Sequence, residues 1–169
     1  MNNKGLTLIE LVIAVFVISV GVVGSFSVLQ KVIISTSISS TRLVASYLAQ
    51  EGIEIVRNIR DTNWVEGDFW LDDLNAGDCS VAGPGCEADY NFQRLEACSS
   101  QPGGQCRYLR IENGGFYNYG VGRETTYKRK IFIVNGTDFI KITIQVDWEE
   151  SGRPHTISVQ ENLYNWYAP

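Results

Sequence analysis

The first third of the chain contains two hydrophobic patterns in succession. Residues 6–28 are apolar nearly all round, and a helix of this length, at about 1.5 Å per residue, crosses about 30 Å of hydrocarbon. Farther on, apolar residues recur at helical spacing: Ala45, Leu48, Ala49, Ile53, Ile55, Val56 and Ile59. We therefore predict one helix over residues 6–60 whose rear half has a broad apolar face. Asp61-Thr62-Asn63 is the turn predicted to end it.

The rest of the chain changes to apolar residues at alternate positions. From Ile140 to Trp148 apolar and polar residues alternate, which is typical of a strand with one buried face. Flanking runs predict two more strands, over residues 130–134 and 156–160. Turns are predicted at Asn135-Gly136 and over residues 150–154. Together these elements predict an antiparallel meander.

An earlier hairpin is predicted on the same grounds, with strands over 108–111 and 116–119 and a turn at Asn113-Gly114-Gly115. The apolar face of the sheet needs a cover, and the rear half of the long helix is the element available for it. We therefore expect an α+β fold with one small C-terminal globular β domain over residues 61–169.

One charge interrupts the apolar helix, at Glu10. A carboxylate at the centre of a bilayer-spanning helix costs roughly 2.5–3.5 kcal/mol, so a partner or a task is expected for it. If the chain were cut after Gly5, the new α-amine of Leu6 would lie one helical turn from Glu10 on the same face. An adjacent copy of the helix offers the same amine. We therefore expect Glu10 to act in docking between subunits.

The order Lys4-Gly5 followed by Leu6-Thr7-Leu8-Ile9-Glu10 resembles the processing site of type IV pilins and related pseudopilins. The resemblance covers about residues 4–30, with Leu6 at a position where phenylalanine is commoner. It implies that residues 1–5 are a leader, that a membrane peptidase cuts between Gly5 and Leu6, and that Leu6 is then N-methylated. It also implies the type IV pilin fold, with residues 6–28 as transmembrane anchor and later filament core.

Two simpler interpretations of the N-terminal segment compete with this one. An ordinary secretory signal also has a basic start and an apolar core, but it ends in a small-residue cleavage site and rarely carries an internal charge. A plain single-span anchor fits the length of the segment. That second interpretation leaves Gly5 and Glu10 unexplained.

The four cysteines, Cys79, Cys86, Cys98 and Cys106, lie in a loop-rich stretch. If the domain is exported, as the resemblance implies, an even count predicts disulfides, with three possible pairings. We favour Cys79–Cys86 and Cys98–Cys106, because each pair brackets its own proline-glycine turn and short loops close most readily. A zinc site is the competing use, but the cysteine spacing does not match the tight pairs of structural zinc sites.

The resemblance implies a structural subunit of a type IV pilus or pilus-like filament, and cell adhesion as a role of such fimbriae. Its expected partners are other pilin subunits through the N-terminal helix, the prepilin peptidase, the inner-membrane assembly platform and the lipid bilayer. It is expected as a single-pass inner-membrane protein before assembly and in the extracellular pilus afterwards, with its globular domain outside the cytoplasm. The cysteine loops and the rear helix favour a minor pilin. The alternatives are a pseudopilin of a type II secretion or DNA-uptake system and a membrane-anchored enzyme or sensor.

Charge gives no support to nucleic-acid binding, because the net charge is −5 and the pI is about 4.9. The one basic run, Lys128-Arg129-Lys130, is interpreted as a solvated strand face. No catalytic residue, cofactor or metal site is predicted, since the sequence has no glycine-rich phosphate loop, nucleophile elbow or HExxH motif.

Several polar or aromatic segments receive structural interpretations. Residues 72–78 carry the oxygen ligands of a calcium loop, but a polar turn is the favoured interpretation. Asn135-Gly136-Thr137 matches a glycan acceptor, although the hairpin explains the same residues. His155 is predicted as a strand-edge residue. The aromatic tail Tyr164-Asn165-Trp166-Tyr167 is predicted to pack against the edge of the sheet.

Overall fold

The computed structural model describes residues 7–74, 79–91 and 94–166. Its elements are α1 (Leu8–Glu66), β1 (Cys86–Glu87), β2 (Glu96–Ala97), a 3₁₀ turn (Cys98–Ser100), β3 (Arg110–Ile111), β4 (Tyr117–Asn118), β5 (Arg123–Glu124), β6 (Lys128–Asn135), β7 (Phe139–Glu150) and β8 (Arg153–Tyr164). The predicted α+β layout, a long N-terminal helix followed by antiparallel sheet, is confirmed. The chain divides into two compact units, Met1–Thr41 and Arg42–Pro169.

The long helix ends at Glu66 rather than near residue 60, so the turn predicted at Asp61–Asn63 is helical. Asn63 is buried, and its side-chain amide donates to the carbonyl of Asp72 at 2.6 Å. Its polarity therefore fixes a tertiary contact. The helix is closed instead by Gly67, whose φ of 81° is left-handed. The N–H groups of Gly67 and Asp68 donate back to the carbonyls of Trp64 and Asn63, which is a Schellman motif.

The main sheet has the strand order β2-β1-β6-β7-β8. Strands β6, β7 and β8 form the predicted antiparallel meander, with Ile131 opposite Ile144 and Ile144 opposite Val159. Between β7 and β8 lies the two-residue turn Ser151-Gly152, where both φ angles are positive, 53° and 73°. Such a turn matches the twist of the flanking strands, so it holds the two long strands in register.

A second, small sheet has the order β4-β3-β5. Strands β3 and β4 form the predicted earlier hairpin, although each has only two residues. Strand β5 was not predicted, because two adjacent charged residues show no alternation. It pairs with β3, and at the preceding residue, Gly122, an added Cβ would clash with the carbonyl oxygen of Ile111.

The core lies between the rear of α1 and the main sheet. All seven apolar positions predicted on the rear helix face are buried, and they belong to one hydrophobic cluster with the alternate residues of β7. Gly52 marks the close approach: a Cβ there would lie 3.0 Å from Cγ2 of Ile144 and 3.1 Å from Cδ of Arg129. The prediction that the rear helix covers the sheet is therefore confirmed.

The interpretation of Lys128-Arg129-Lys130 as a solvated strand face is wrong for its middle residue. Arg129 is fully buried, because the alternation of β6 turns it to the same face as Ile131. Its guanidinium donates to the carbonyls of Leu48 at 3.1 Å and Ala88 at 2.6 Å, and Nη1 lies 3.3 Å from Oε2 of Glu51. Arg129 thus joins the helix to the sheet.

Candidate functional site

The front of α1 begins at a capped end. Thr7 precedes the first helical residue, and both its carbonyl and its hydroxyl oxygen accept from the N–H of Glu10, at 3.1 Å and 3.4 Å. Threonine is a favoured residue at this position because its side chain satisfies a free helical N–H group. The helix therefore has a defined start in front of its apolar run.

Glu10 lies in the first turn of this helix, three residues after Thr7. A threonine followed three residues later by glutamate is the sequence pattern of a capping box, and an acidic group at a helix N-terminus is favoured by the helix dipole. This local role of Glu10 was not predicted, although the spacing from Thr7 to Glu10 is readable in the sequence. Gly5 and Leu6 lie outside the described residues, so the pairing of Glu10 with the Leu6 amine stays a prediction.

The front of the helix presents an apolar surface. Residues 7–40 are all exposed within this chain, with Phe16 at 66% and Ile33 at 69% of their full accessibility. Twenty residues, 11–30, separate Glu10 from the next charge, Lys31. By length and composition this helix can cross a membrane.

Several hydroxyl groups of the front helix find their partner within the helix itself. Ser19 donates to the carbonyl of Val15, four residues earlier, at 2.7 Å, and Ser25 donates to that of Gly21 at 2.8 Å. Ser27, Thr36 and Ser39 do the same. Polar groups in hydrocarbon must find partners inside the protein, so these serines and threonines do not oppose an apolar environment.

The structure joins Cys79 to Cys86 and Cys98 to Cys106, which are the pairs favoured from the sequence. The second bridge is followed directly by Arg107. Its main-chain N–H donates to Oε2 of the fully buried Glu87 at 3.0 Å, and its Nε donates to Oε1 at 2.6 Å. The disulfide therefore holds in place the partner of a buried carboxylate.

Glu87 with the sulfurs of Cys98 and Cys106 forms the one compact group of potential metal ligands among the described residues. The two sulfurs are bonded to each other, and the carboxylate accepts a hydrogen bond from Arg107. All three groups are therefore used in contacts that stabilise the fold. Of the candidate calcium loop, residues 75–78 lie outside the described part. Asp72 and Asp73, which the structure describes, belong to a turn. A polar turn was the interpretation favoured from the sequence.

The remaining candidate residues, His155 and the described part of the aromatic tail, contact other aromatic side chains. His155 is on the edge strand β8, as predicted, and stacks on Trp148 with ring centroids 5.3 Å apart. Trp166 packs edge-on against Trp64 of α1 at 5.0 Å, while Tyr167 lies outside the described residues. Burial raises the pKa of Tyr119, whose hydroxyl donates to the carbonyl of Arg129, and this environment keeps the phenol neutral and structural.

Comparison with known proteins agrees with the position of this exposed apolar helix. Residues 1–26 match the family model described as the prokaryotic N-terminal methylation motif. No curated protein and no solved structure matches the chain at a significant level.

The matched motif is the type IV prepilin-type signature, and the helix-then-sheet layout is consistent with the type IV pilin fold. The motif thus supports a type IV pilin-like or pseudopilin protein and points to a structural role. The motif implies processing by a prepilin peptidase and assembly with other pilins. Together with the apolar helix, it fits membrane anchoring before assembly.

Proposed function

We propose that this chain is a structural subunit of a type IV pilus or pilus-like filament, anchored in the inner membrane before assembly. The observation that carries the proposal is the surface of residues 7–40, which is exposed, largely apolar and overlaps the matched prepilin-type motif at residues 1–26. Such a surface requires lipid or other helices around it. The filament core supplies those helices once the subunit leaves the bilayer.

In this proposal cleavage between Gly5 and Leu6 removes the leader, residues 1–5, and Leu6 is then methylated. Residues 6–28 form the anchor and filament core, the helix as a whole is the polymerising element, and the globular domain after it lies outside the cytoplasm on the filament surface. Glu10 is the charge that sets the docking of one helix on another, through the α-amine of a neighbouring subunit. Its position in the first helical turn places the carboxylate close to the helix end, which supports a contact with a neighbouring chain's new N-terminus.

Intact-mass analysis, mechanical shearing of cells and an activity assay on the purified protein test the proposal. Intact mass should show a mature chain beginning at Leu6 and one methyl group heavier. Mechanical shearing should release the protein with filaments, whereas retention in the inner membrane would favour a secretion pseudopilin. A mature chain beginning at Met1, or catalytic activity of the purified protein, would contradict the assignment.

The role of Glu10 is tested by Glu10→Leu, with the volume-conserving Ile13→Leu as matched control. Replacing the carboxylate removes a desolvation cost in lipid, so the variant should be inserted and processed. It should be absent from sheared filaments, while Ile13→Leu assembles normally. A normal filament yield from Glu10→Leu would refute the docking role.

A further inference from the structure

The two edges of the main sheet differ greatly in length. At one edge lies β2, with two residues, and at the other lies β8, with twelve. Strand β8 pairs along its whole length with β7. Among the residues that the structure describes, no further strand pairs with its other side.

The direction of the free backbone groups of β8 follows from one hydrogen bond. The N–H of Asn165 donates to the carbonyl of Asp138 at 3.1 Å, one position beyond the Phe139–Tyr164 pair. Hydrogen-bonded and non-hydrogen-bonded pairs alternate along an antiparallel ladder. Residues of the other parity therefore direct their N–H and C=O groups away from β7: Thr156, Ser158, Gln160, Asn162 and Tyr164.

Pro154 agrees with this assignment. It has the outward parity, opposite Glu149, and proline is tolerated in a sheet where its missing N–H would face away from the neighbouring strand. Beyond Pro154 the strand has none of the usual protections of a free edge. Its register with β7 is unbroken, it contains no lysine, and its one carboxylate, Glu161, is paired with Arg57 at 2.6 Å.

The side chains of β8 define what an added strand would contact. On the core face, Ile157 and Val159 are only partly buried, although they pack against the hydrophobic cluster. On the other face, the five residues with outward backbone groups are uncharged. An added strand of alternating apolar and neutral polar residues would extend the core beside Ile157 and Val159 and satisfy the outward backbone groups.

The source of that strand can be narrowed by symmetry. Pairing of β8 with the β8 of a second copy in antiparallel fashion is a twofold contact, whereas a helical filament is built from contacts between two different surfaces. The other edges in the described chain, β2, β4 and β5, have two residues each. The described part of a second copy in the filament therefore offers no matching edge.

We propose that the free edge of β8, over residues 155–164, binds an extended strand of a different filament subunit by β-sheet addition. The proposal rests on the filament function proposed above. It means that this chain contacts a subunit of a different sequence within the filament. The partner is an uncharged, amphipathic segment of about ten residues, long enough to span the free edge.

Amide hydrogen exchange of the native full-length protein tests the proposal, comparing the detergent-solubilised subunit with sheared filaments. The five outward amides of β8 should exchange rapidly in detergent and be slowed at least about tenfold in filaments. The inward amides, bonded to β7, should be protected in both samples. Equal exchange of the outward amides in both samples would overturn the proposal while leaving the filament function intact.

A variant pair tests whether the edge matters for assembly. Gln160→Pro removes one outward N–H and leaves the bonds to β7 in place, while Gln160→Ala makes a similar truncation and keeps the N–H. The proline variant should be processed and folded, and its yield in filaments should fall at least about tenfold, while the alanine variant assembles normally. Equal yields of the two variants would contradict strand addition.

Hydrogen exchange of the purified chain in detergent, measured at rising concentration, distinguishes binding of a different subunit from pairing with a second copy of this chain. Outward β8 amides that stay unprotected as the concentration is raised agree with a heteromeric partner. Protection that rises with concentration would show self-pairing and overturn the proposal. Absence of the protein from sheared filaments would instead remove the filament function, and this proposal with it.

Discussion

The two halves of α1 share one secondary structure and differ in how their apolar side chains are covered. In the front half, residues 7–40 are exposed within the chain. In the rear half, ten residues from Ala45 to Asn63 are buried. The backbone hydrogen bonds are the same in both halves, so the difference lies in the side chains alone.

That difference determines which half can be stable in water. The apolar stripe of the rear half is matched by the alternate residues of β6 and β7, and the rear half ends in a Schellman motif. The apolar surface of the front half extends around the helix and has no counterpart in the described part of the chain. Burial of apolar surface is the dominant favourable term in folding, so the front half depends on lipid or on other subunits.

The largest expected effect comes from separating the two halves. A chain beginning at Arg42 should be soluble, monomeric and folded, because it retains all of the buried helix face. The full-length chain should require detergent. Sedimentation and circular dichroism without detergent measure both properties, and a shortened chain that aggregates or lacks sheet signal would break the comparison.

The next effect concerns the link between the rear half and the sheet. Arg129→Ala should destabilise the globular domain by about 3 kcal/mol, because it leaves a cavity and removes the hydrogen bonds to the carbonyls of Leu48 and Ala88. Chemical denaturation in detergent measures the loss. Lys128→Ala, on the opposite face of β6, is the matched control and should cost much less. Equal losses would mean that burial of the arginine does not matter.

Arg129 also illustrates what sequence reasoning can and cannot provide. The periodic segments, such as residues 45–59 and 140–148, were predicted correctly because burial of one face imposes a period on the sequence. The same period places Arg129 inside, but three adjacent basic residues favoured a solvated face. The carbonyls of Leu48 and Ala88 and the carboxylate of Glu51, all distant in sequence, explain why a charge is buried there.

Features that depend on non-local contacts were missed for the same reason. The helix continues past Asn63, whose side-chain amide donates to the carbonyl of Asp72. No local pattern in the sequence reveals that partner. Strands β1, β2 and β5 have two residues each, which is too short for any alternation. At the front of the helix, the role of Glu10 in the first turn was readable from the spacing to Thr7, while Gly5 and Leu6 remain predictions.

Replacing glycine by alanine should have a smaller effect on stability, and its sign should differ between the two halves of α1. Gly52→Ala places a Cβ 3.0 Å from Ile144 and should destabilise the domain by about 1–3 kcal/mol through overpacking. Gly21→Ala meets nothing within 4 Å and should favour the helix by about 1 kcal/mol. Thermal unfolding and helical content in detergent measure the two changes. Stabilisation by both substitutions would mean that the close approach at Gly52 relaxes freely.

The smallest effect is an acid titration confined to the globular unit. Burial raises the pKa of Asp147, but hydrogen bonds from Lys130, Thr156 and Gln145 outweigh it, so the pKa is lowered overall. A carboxyl with a lowered folded-state pKa stabilises the protein above its unfolded pKa, and the contribution is lost as the pH falls through the folded value.

Asp147→Asn should therefore cost less than about 1 kcal/mol at pH 7, since the group is partly exposed. The difference from the parent protein should shrink as the pH falls below the ordinary carboxyl range, because the folded-state pKa is lowered. Denaturation curves between pH 2 and pH 7 measure it, with the exposed Glu149→Gln as control, and a difference that stays constant as the pH falls would contradict the assignment.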